Sequence, residues 1–134
     1  IINKMKTYKI KVHSNEKGEL LSIEGKKTLP FEIKRTYFIL NNYKKLDRGF
    51  HAHKKLNQAA ICLKGSCSIY FDDLNEKKII NLSSPDKLVL IPPLVWHEVR
   101  EFSSDCILAV FADDFYDEND YIRNFKTFEA FLKV

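Results

Sequence analysis

Cysteine is scarce and poorly spaced for a structural role, with three in 134 residues, an odd count that includes no Cys-x-x-Cys pair. That argues against a disulfide framework and a structural zinc site, and it fits a reducing compartment, the cytoplasm. Long apolar runs are missing too. The longest, residues 88–96, is broken by Pro92 and Pro93 and falls short of the ~20 residues that a membrane-spanning helix needs. No membrane partner is expected. The opening Ile1-Ile2-Asn3-Lys4-Met5 has no basic start followed by an apolar stretch, so no secretory leader is expected. Charge of one sign is not in large excess either. The 22 Lys+Arg stand against 18 Asp+Glu, a net charge of +4, with the lysines scattered among apolar and acidic residues. This is no nucleic-acid face, although it leaves cations for one or two phosphates. The sequence contains no internal repeat, low-complexity tract or linker.

What is present is a chain that is 45% hydrophobic, long enough to bury a core without staples, so residues 1–134 read as one globular domain. Period-two alternation dominates. Tyr8, Ile10 and Val12 share one side of residues 7–12. Phe31, Ile33, Arg35, Tyr37 and Ile39 share one side of residues 31–40. Further strand-like runs cover 57–64, 66–71, 77–82, 87–91, 95–100 and 104–112. Strands at this spacing mark an all-β sandwich or barrel. The exception is the end of the chain, where Tyr121, Phe125, Phe128 and Leu132 fall at helical spacing behind an acidic start at 117–120. The pattern predicts one C-terminal α-helix packed on the sheet.

Of four histidines, two sit at positions 51 and 53. In an extended segment they project from one face, roughly 7 Å apart, with Ala52 turned away. Two imidazoles then share one cavity. Cys62, Cys67 and Cys106 read as small apolar fillers, and Asp72-Asp73 and Asp113-Asp114 read as turn residues.

The string His51-x-His53-x4-Gln58-x6-Gly65 resembles the first motif of the cupin superfamily, with Gln58 where metal-binding cupins carry Glu. Pro92-Pro93 followed by Trp96-His97 resembles half of the second motif. The fold implied is a small jelly roll, a double-stranded β-helix. A neutral amide at Gln58 removes the carboxylate that would offset an ion's charge, so a pocket free of metal and cofactor is expected. Arg48-Gly49-Phe50-His51-Ala52-His53-Lys54 and Asp120-Tyr121-Ile122-Arg123, with weaker matches at 18–24 and 29–37, sharpen the resemblance to the sugar-nucleotide 3,4-ketoisomerases.

That resemblance implies a dTDP-linked 4-keto-6-deoxyhexose as substrate and an enediol intermediate. The 3-keto product would feed 3-amino-3,6-dideoxy sugars of bacterial surface glycans such as O-antigen. It also implies catalytic roles for His51 and His53, with His51 taking the C3 proton. Tyr37 is expected to donate to the C4 oxygen. Arg35, Arg48 and Lys54 are expected to bind the pyrophosphate, Gln58 a hydroxyl, and His97 to reach the pocket from another strand and favour the galacto product. A homodimer is expected. Three alternatives stay open: a metal-dependent cupin oxygenase or isomerase using His51, His53 and His97; a 3,5-epimerase of the same ketosugar; and a non-catalytic sugar-binding cupin.

Overall fold

Alternation of apolar and polar residues resolves into antiparallel sheets that enclose the apolar faces between them. The computed structural model describes residues 6–133; the opening residues, on which the expectation of no secretory leader rests, lie outside the described residues. The strands are β1 (Thr7–Lys9), β2 (His13–Asn15), β3 (Gly18–Leu20), β4 (Arg35–Ile39), β5 (Arg48–His53), β6 (Gln58–Lys64), β7 (Cys67–Asp72), β8 (Lys77–Leu82), β9 (Lys87–Ile91), β10 (Trp96–Arg100), β11 (Ile107–Ala112) and β12 (Tyr121–Ile122). A short 3-10 helix, Glu118–Asp120, precedes β12, and the helix α1 (Phe125–Leu132) follows it. One five-stranded sheet has the order β1-β9-β6-β11-β4 and the other β12-β5-β10-β7-β8, while β2 and β3 form a separate hairpin. The architecture is the expected cupin jelly roll with a C-terminal helix.

Three apolar clusters hold it together. The largest fills the space between the sheets, with Ala60, Ile69, Phe71, Val89, Val99, Leu108 and Val110. A second covers the outside of the first sheet, where Ala59, Ile61 and Leu88 meet Leu29, Phe31 and Ile33. Strand β6 is therefore buried on both faces, which is why it reads as a continuous apolar run. The third seats α1 on the second sheet, Phe128 packing against Ala52, Trp96 and Ile122.

Two expectations need correction. The single strand over 31–40 shortens to Arg35–Ile39. Phe31 and Ile33 pack on the outside of the first sheet, whereas Tyr37 and Ile39 pack against the interior cluster, so one alternating run serves two different cores. The predicted helix starts later than Tyr121, which lies in β12. Asn124 caps α1 by accepting a hydrogen bond from Thr127 N, an interaction that contributes about 1 kcal/mol. The acidic stretch is used otherwise: Asp117 caps the 3-10 turn, and Asp120 turns toward the β5–β6 connection. Among the described residues, no helix is long and apolar enough to cross a membrane.

Candidate active site

Strand β5 carries the histidines, and a bulge aims them. Its partner β10 pairs Val99 with Arg48 and Glu98 with Gly49, then His97 with His51, so Phe50 is an extra residue. Gly49 (φ 90°) and Phe50 (φ 59°) both occupy left-handed backbone, and a Cβ on Gly49 would lie 3.0 Å from the His97 carbonyl oxygen. The bulge shifts the alternation by one. Arg48 and His51, three residues apart, consequently line the same cavity. Ala52 is fully buried beneath α1, leaving His51 and His53 on the opposite, inward face with ring centroids 4.9 Å apart.

The cavity has a volume of about 300 Å³. Its floor is apolar, formed by Ile69, Ile91, Leu108 and Val110, and its polar lining brings together Arg35, Tyr37, Arg48, His51, His97, Tyr121 and Arg123. A second hollow of about 350 Å³ shares Arg35 and Tyr121 with it and is lined by His53 and Asp120. His97 is buried on β10, its ring 4.5 Å from that of His51. Gln58 is 1% exposed, and its Oε1 accepts the Tyr37 hydroxyl at 2.7 Å. Lys54 is not brought to the cavity; its ammonium lies 5.9 Å from the centre of the Phe131 ring of α1.

Hydrogen bonds set the protonation of both imidazoles. His51 Nδ1 lies 3.0 Å from the Gly49 carbonyl oxygen, and His53 Nδ1 lies 3.1 Å from Asp120 Oδ2. Neither oxygen can donate, so each Nδ1 carries the hydrogen and each Nε2 keeps its lone pair. His53 Nε2 is buried without a partner. Burial holds His51 below the usual histidine range, with nearby Arg123 acting in the same direction. Burial, followed by the neighbouring His51, brings His53 down to about 4 despite the opposing pull of Asp120. His97 is lowered well below its ordinary value by burial and by the other two histidines. All three are therefore neutral at neutral pH, the state that a proton acceptor requires. Burial pushes Tyr37 up to about 12, so it remains a donor.

Asp120, Tyr121 and Arg123 join the site, although their string carries the family resemblance without any individual role being assigned to them. Asp120 accepts from Lys55 N and Leu56 N as well as facing His53. The Tyr121 ring lies 4.8 Å from His51 and 4.3 Å from His53. Arg123 stacks over Tyr121 at 4.1 Å and is held by Glu118 at 2.8 Å. The signal that could have found them is the Asp120-Tyr121-Ile122-Arg123 string, whose spacing reads as helix rather than as an active-site strand.

The cation alternative meets a geometric obstacle. Among the described residues, the His/Cys/Asp/Glu group whose ligating atoms all lie within 4.8 Å of one another is Cys62, Cys67 and Cys106, and not the three histidines. With a neutral amide at Gln58, this donor set does not fit the metal-binding cupin arrangement.

Comparison with known proteins identifies the family and the fold. The model of the FdtA family, described as WxcM-like, C-terminal, matches residues 3–133. A TDP-4-oxo-6-deoxy-alpha-D-glucose-3,4-oxoisomerase from Aneurinibacillus thermoaerophilus is 47% identical over 118 residues, 88% of this chain and 85% of that protein. The crystal structure of QdtA, a sugar 3,4-ketoisomerase from Thermoanaerobacterium thermosaccharolyticum, in complex with TDP is 42% identical. It superposes with a TM-score of 0.94 over 99% of this chain and 97% of that one. A histidine-to-asparagine mutant of QdtA, in complex with TDP-4-keto-6-deoxyglucose, is 41% identical with a TM-score of 0.94, over 99% of this chain and 96% of that one.

Proposed function

The chain belongs to the FdtA family and is a 3,4-ketoisomerase, and from that premise we propose how its site converts TDP-4-keto-6-deoxyglucose into the 3-keto isomer. The observation that carries the reading is the pair of neutral imidazoles, each with its Nδ1 hydrogen committed and its Nε2 lone pair free. His51 Nε2 removes the hydrogen from C3, leaving an enediolate. His53 Nε2 accepts the proton of the C3 hydroxyl and returns it to the C4 oxygen. The Tyr37 hydroxyl, whose one hydrogen rests on Gln58 Oε1 in the free protein, turns that hydrogen to the C4 oxygen as negative charge grows, and reprotonation at C4 by the His51 imidazolium, after exchange with water, completes the isomerisation.

Arg35 and Arg48 bind the pyrophosphate, joined by Arg123 at the same cavity. Arg35 Nε is a buried donor without a partner in the protein, which supports an anionic ligand there. Gln58 orients the Tyr37 hydroxyl. Asp120 is a positioning residue that holds the His53 tautomer. His97 beside His51 organises protonation of C4 from the face that gives the galacto product.

The reaction is placed in the cytoplasm, where the three free thiols would stay reduced, and its product would supply 3-amino-3,6-dideoxy sugars of surface glycans. A homodimer is favoured by the β2–β3 hairpin, which is exposed along its length and joins neither large sheet. Light scattering that finds a monomer would reject it.

Incubation with TDP-4-keto-6-deoxyglucose in D2O, followed by NMR, tests the function. Label at C4 with a carbonyl moved to C3 is expected; label at C3 and C5 with the carbonyl retained would identify an epimerase. Activity that disappears on chelation and returns with a divalent cation would identify the metal-dependent alternative, and binding without turnover would identify a sugar-binding module. The C4 proton coupling of the product, measured with and without His97→Asn, tests the galacto assignment.

A further inference from the structure

Three thiols from separate parts of the sequence meet inside the fold, away from the histidines. Cys62 lies near the end of β6, Cys67 opens β7, and Cys106 immediately precedes β11. All are at most 2% exposed, and their sulfurs lie within 4.8 Å of one another. Cys62 Sγ and Cys106 Sγ are 3.7 Å apart. Cys62 stands four residues beyond Gln58 along β6, about 13 Å at the rise of a strand; it pairs with Leu108 of the cavity floor, but none of the three cysteines lines the cavity itself.

The surroundings decide what such a trio can hold. It belongs to the same apolar cluster as Leu82, Phe102 and Leu108. A net charge buried there is costly. Three thiolates around a monovalent ion leave two negative charges, and around a divalent ion one; around a trivalent ion they leave none. Thiolate sulfur also selects soft ions over hard ones.

We propose that Cys62, Cys67 and Cys106 form a three-coordinate binding site for a trivalent thiophilic species of the arsenite class. Each sulfur–arsenic bond forms as one arsenic–oxygen bond of arsenous acid breaks, and each thiol proton leaves with the departing hydroxide as water. Three waters are released, and no atom is oxidised or reduced. The product is neutral and pyramidal, with arsenic standing out of the plane of the sulfurs.

The site is held firmly and has a short approach. The β6–β7 turn is tied to the loop before β11: Ser103 N donates to Ser66 O at 2.8 Å, and Ser66 N donates to Ser103 Oγ at 2.9 Å. Gly65 (φ +69°) lets this turn close, because a Cβ there would meet Ser103 and come within 2.9 Å of Cys106 N. A surface hollow lined by Lys64, Asp105 and Cys106 leads to the cluster.

The test is arsenite titrated into the reduced, folded chain. Native mass spectrometry should read one arsenic per chain with three hydrogens lost, and the slow alkylation of these buried thiols by N-ethylmaleimide, followed to completion on the arsenite-free chain, should be slowed about tenfold or more for all three when arsenite is bound. Cadmium, whose complex would keep a negative charge, should bind about tenfold more weakly or worse. Cys62→Ala, Cys67→Ala and Cys106→Ala should each weaken arsenite binding by about tenfold or more while retaining ketoisomerase activity, which serves as the check on folding. No adduct on the folded chain, an adduct that forms only in denaturant, cadmium binding tighter than arsenite, or binding unchanged in the variants would each overturn the proposal. The protection measurement needs no variant, so a substitution that fails to fold leaves the test intact.

Discussion

Replacing Asp120 by Asn preserves shape while removing a charge and one acceptor. The carboxylate serves three donors: Oδ1 takes Lys55 N at 2.9 Å, and Oδ2 takes Leu56 N at 3.2 Å and faces His53 Nδ1 at 3.1 Å. An amide has a single oxygen. If it keeps Lys55, its NH2 points at the Leu56 N–H and at His53, favouring a hydrogen on His53 Nε2 where the shuttle needs a lone pair. If it turns the other way, Lys55 N loses its acceptor. A hydrogen bond to a charged group contributes about 1.5–3 kcal/mol, so the turnover number should fall about 10- to 150-fold. Asp120 raises the His53 pKa; without it, His53 protonates at a still lower pH. The acid limb of the rate profile should move downward as the plateau drops. Both quantities can be read in a coupled 3-aminotransferase assay across the pH range, with circular dichroism confirming the fold. A folded variant with a plateau within twofold of the parent, or an acid limb moved upward, would refute the positioning role.

Tyr37→Phe removes the hydroxyl that Gln58 accepts, and loss of a general acid should lower the turnover number by about 10²- to 10⁴-fold with little change in KM, measured by the same assay. Stability should depend on pH with a definite sign. His53 falls from 6.5 unfolded to about 4 folded, so its neutral form favours the native state above pH 6.5, and the advantage is lost as pH falls through 6.5 toward 4. The loss for His53 alone is about 3 kcal/mol; urea unfolding at a series of pH values should reveal it, and a flat profile would contradict it. Phe128→Ala should cost about 3–5 kcal/mol, since this fully buried ring seats α1 against Ala52 and Trp96; thermal unfolding reads the change. Lys54→Ala should leave KM for the sugar nucleotide unchanged within twofold, because its ammonium lies over Phe131 rather than in the cavity.

Period-two alternation carried most strands of the fold because each sheet buries one face against a continuous interior. It misled at residues 31–40, where the same spacing satisfies a core on either side of a sheet, and no local signal marks where the chain crosses. The histidine pair was legible because residues two apart in a strand face the same way regardless of the tertiary fold. Asp120 was hidden by its company. Four polar or acidic residues before an apolar periodicity look like a helix start, and only the long-range contact with residues 55 and 56 reveals a carboxylate reserved for the β5–β6 connection. The cysteine trio was illegible for a related reason: Cys62 and Cys106 are 44 residues apart, and sequence spacing carries no information about ligands assembled across strands.

The extra residue at Phe50 acts as a phase shifter between two halves of one strand. Downstream of it the histidines keep their inward setting, while upstream Arg48 reaches the same cavity only because the count has slipped by one. Chemistry and anchoring are thus encoded on opposite sides of a single backbone irregularity and can be uncoupled by changing length alone. Inserting one paired residue between Arg48 and the bulge would rotate Arg48 outward and leave His51 and His53 in place, raising KM far more than it lowers turnover, whereas deleting Phe50 would restore plain alternation with Arg48 and His51 two apart and both inward. An insertion here is therefore a change of binding grammar, whereas anywhere between residues 51 and 53 it would erase the reaction itself.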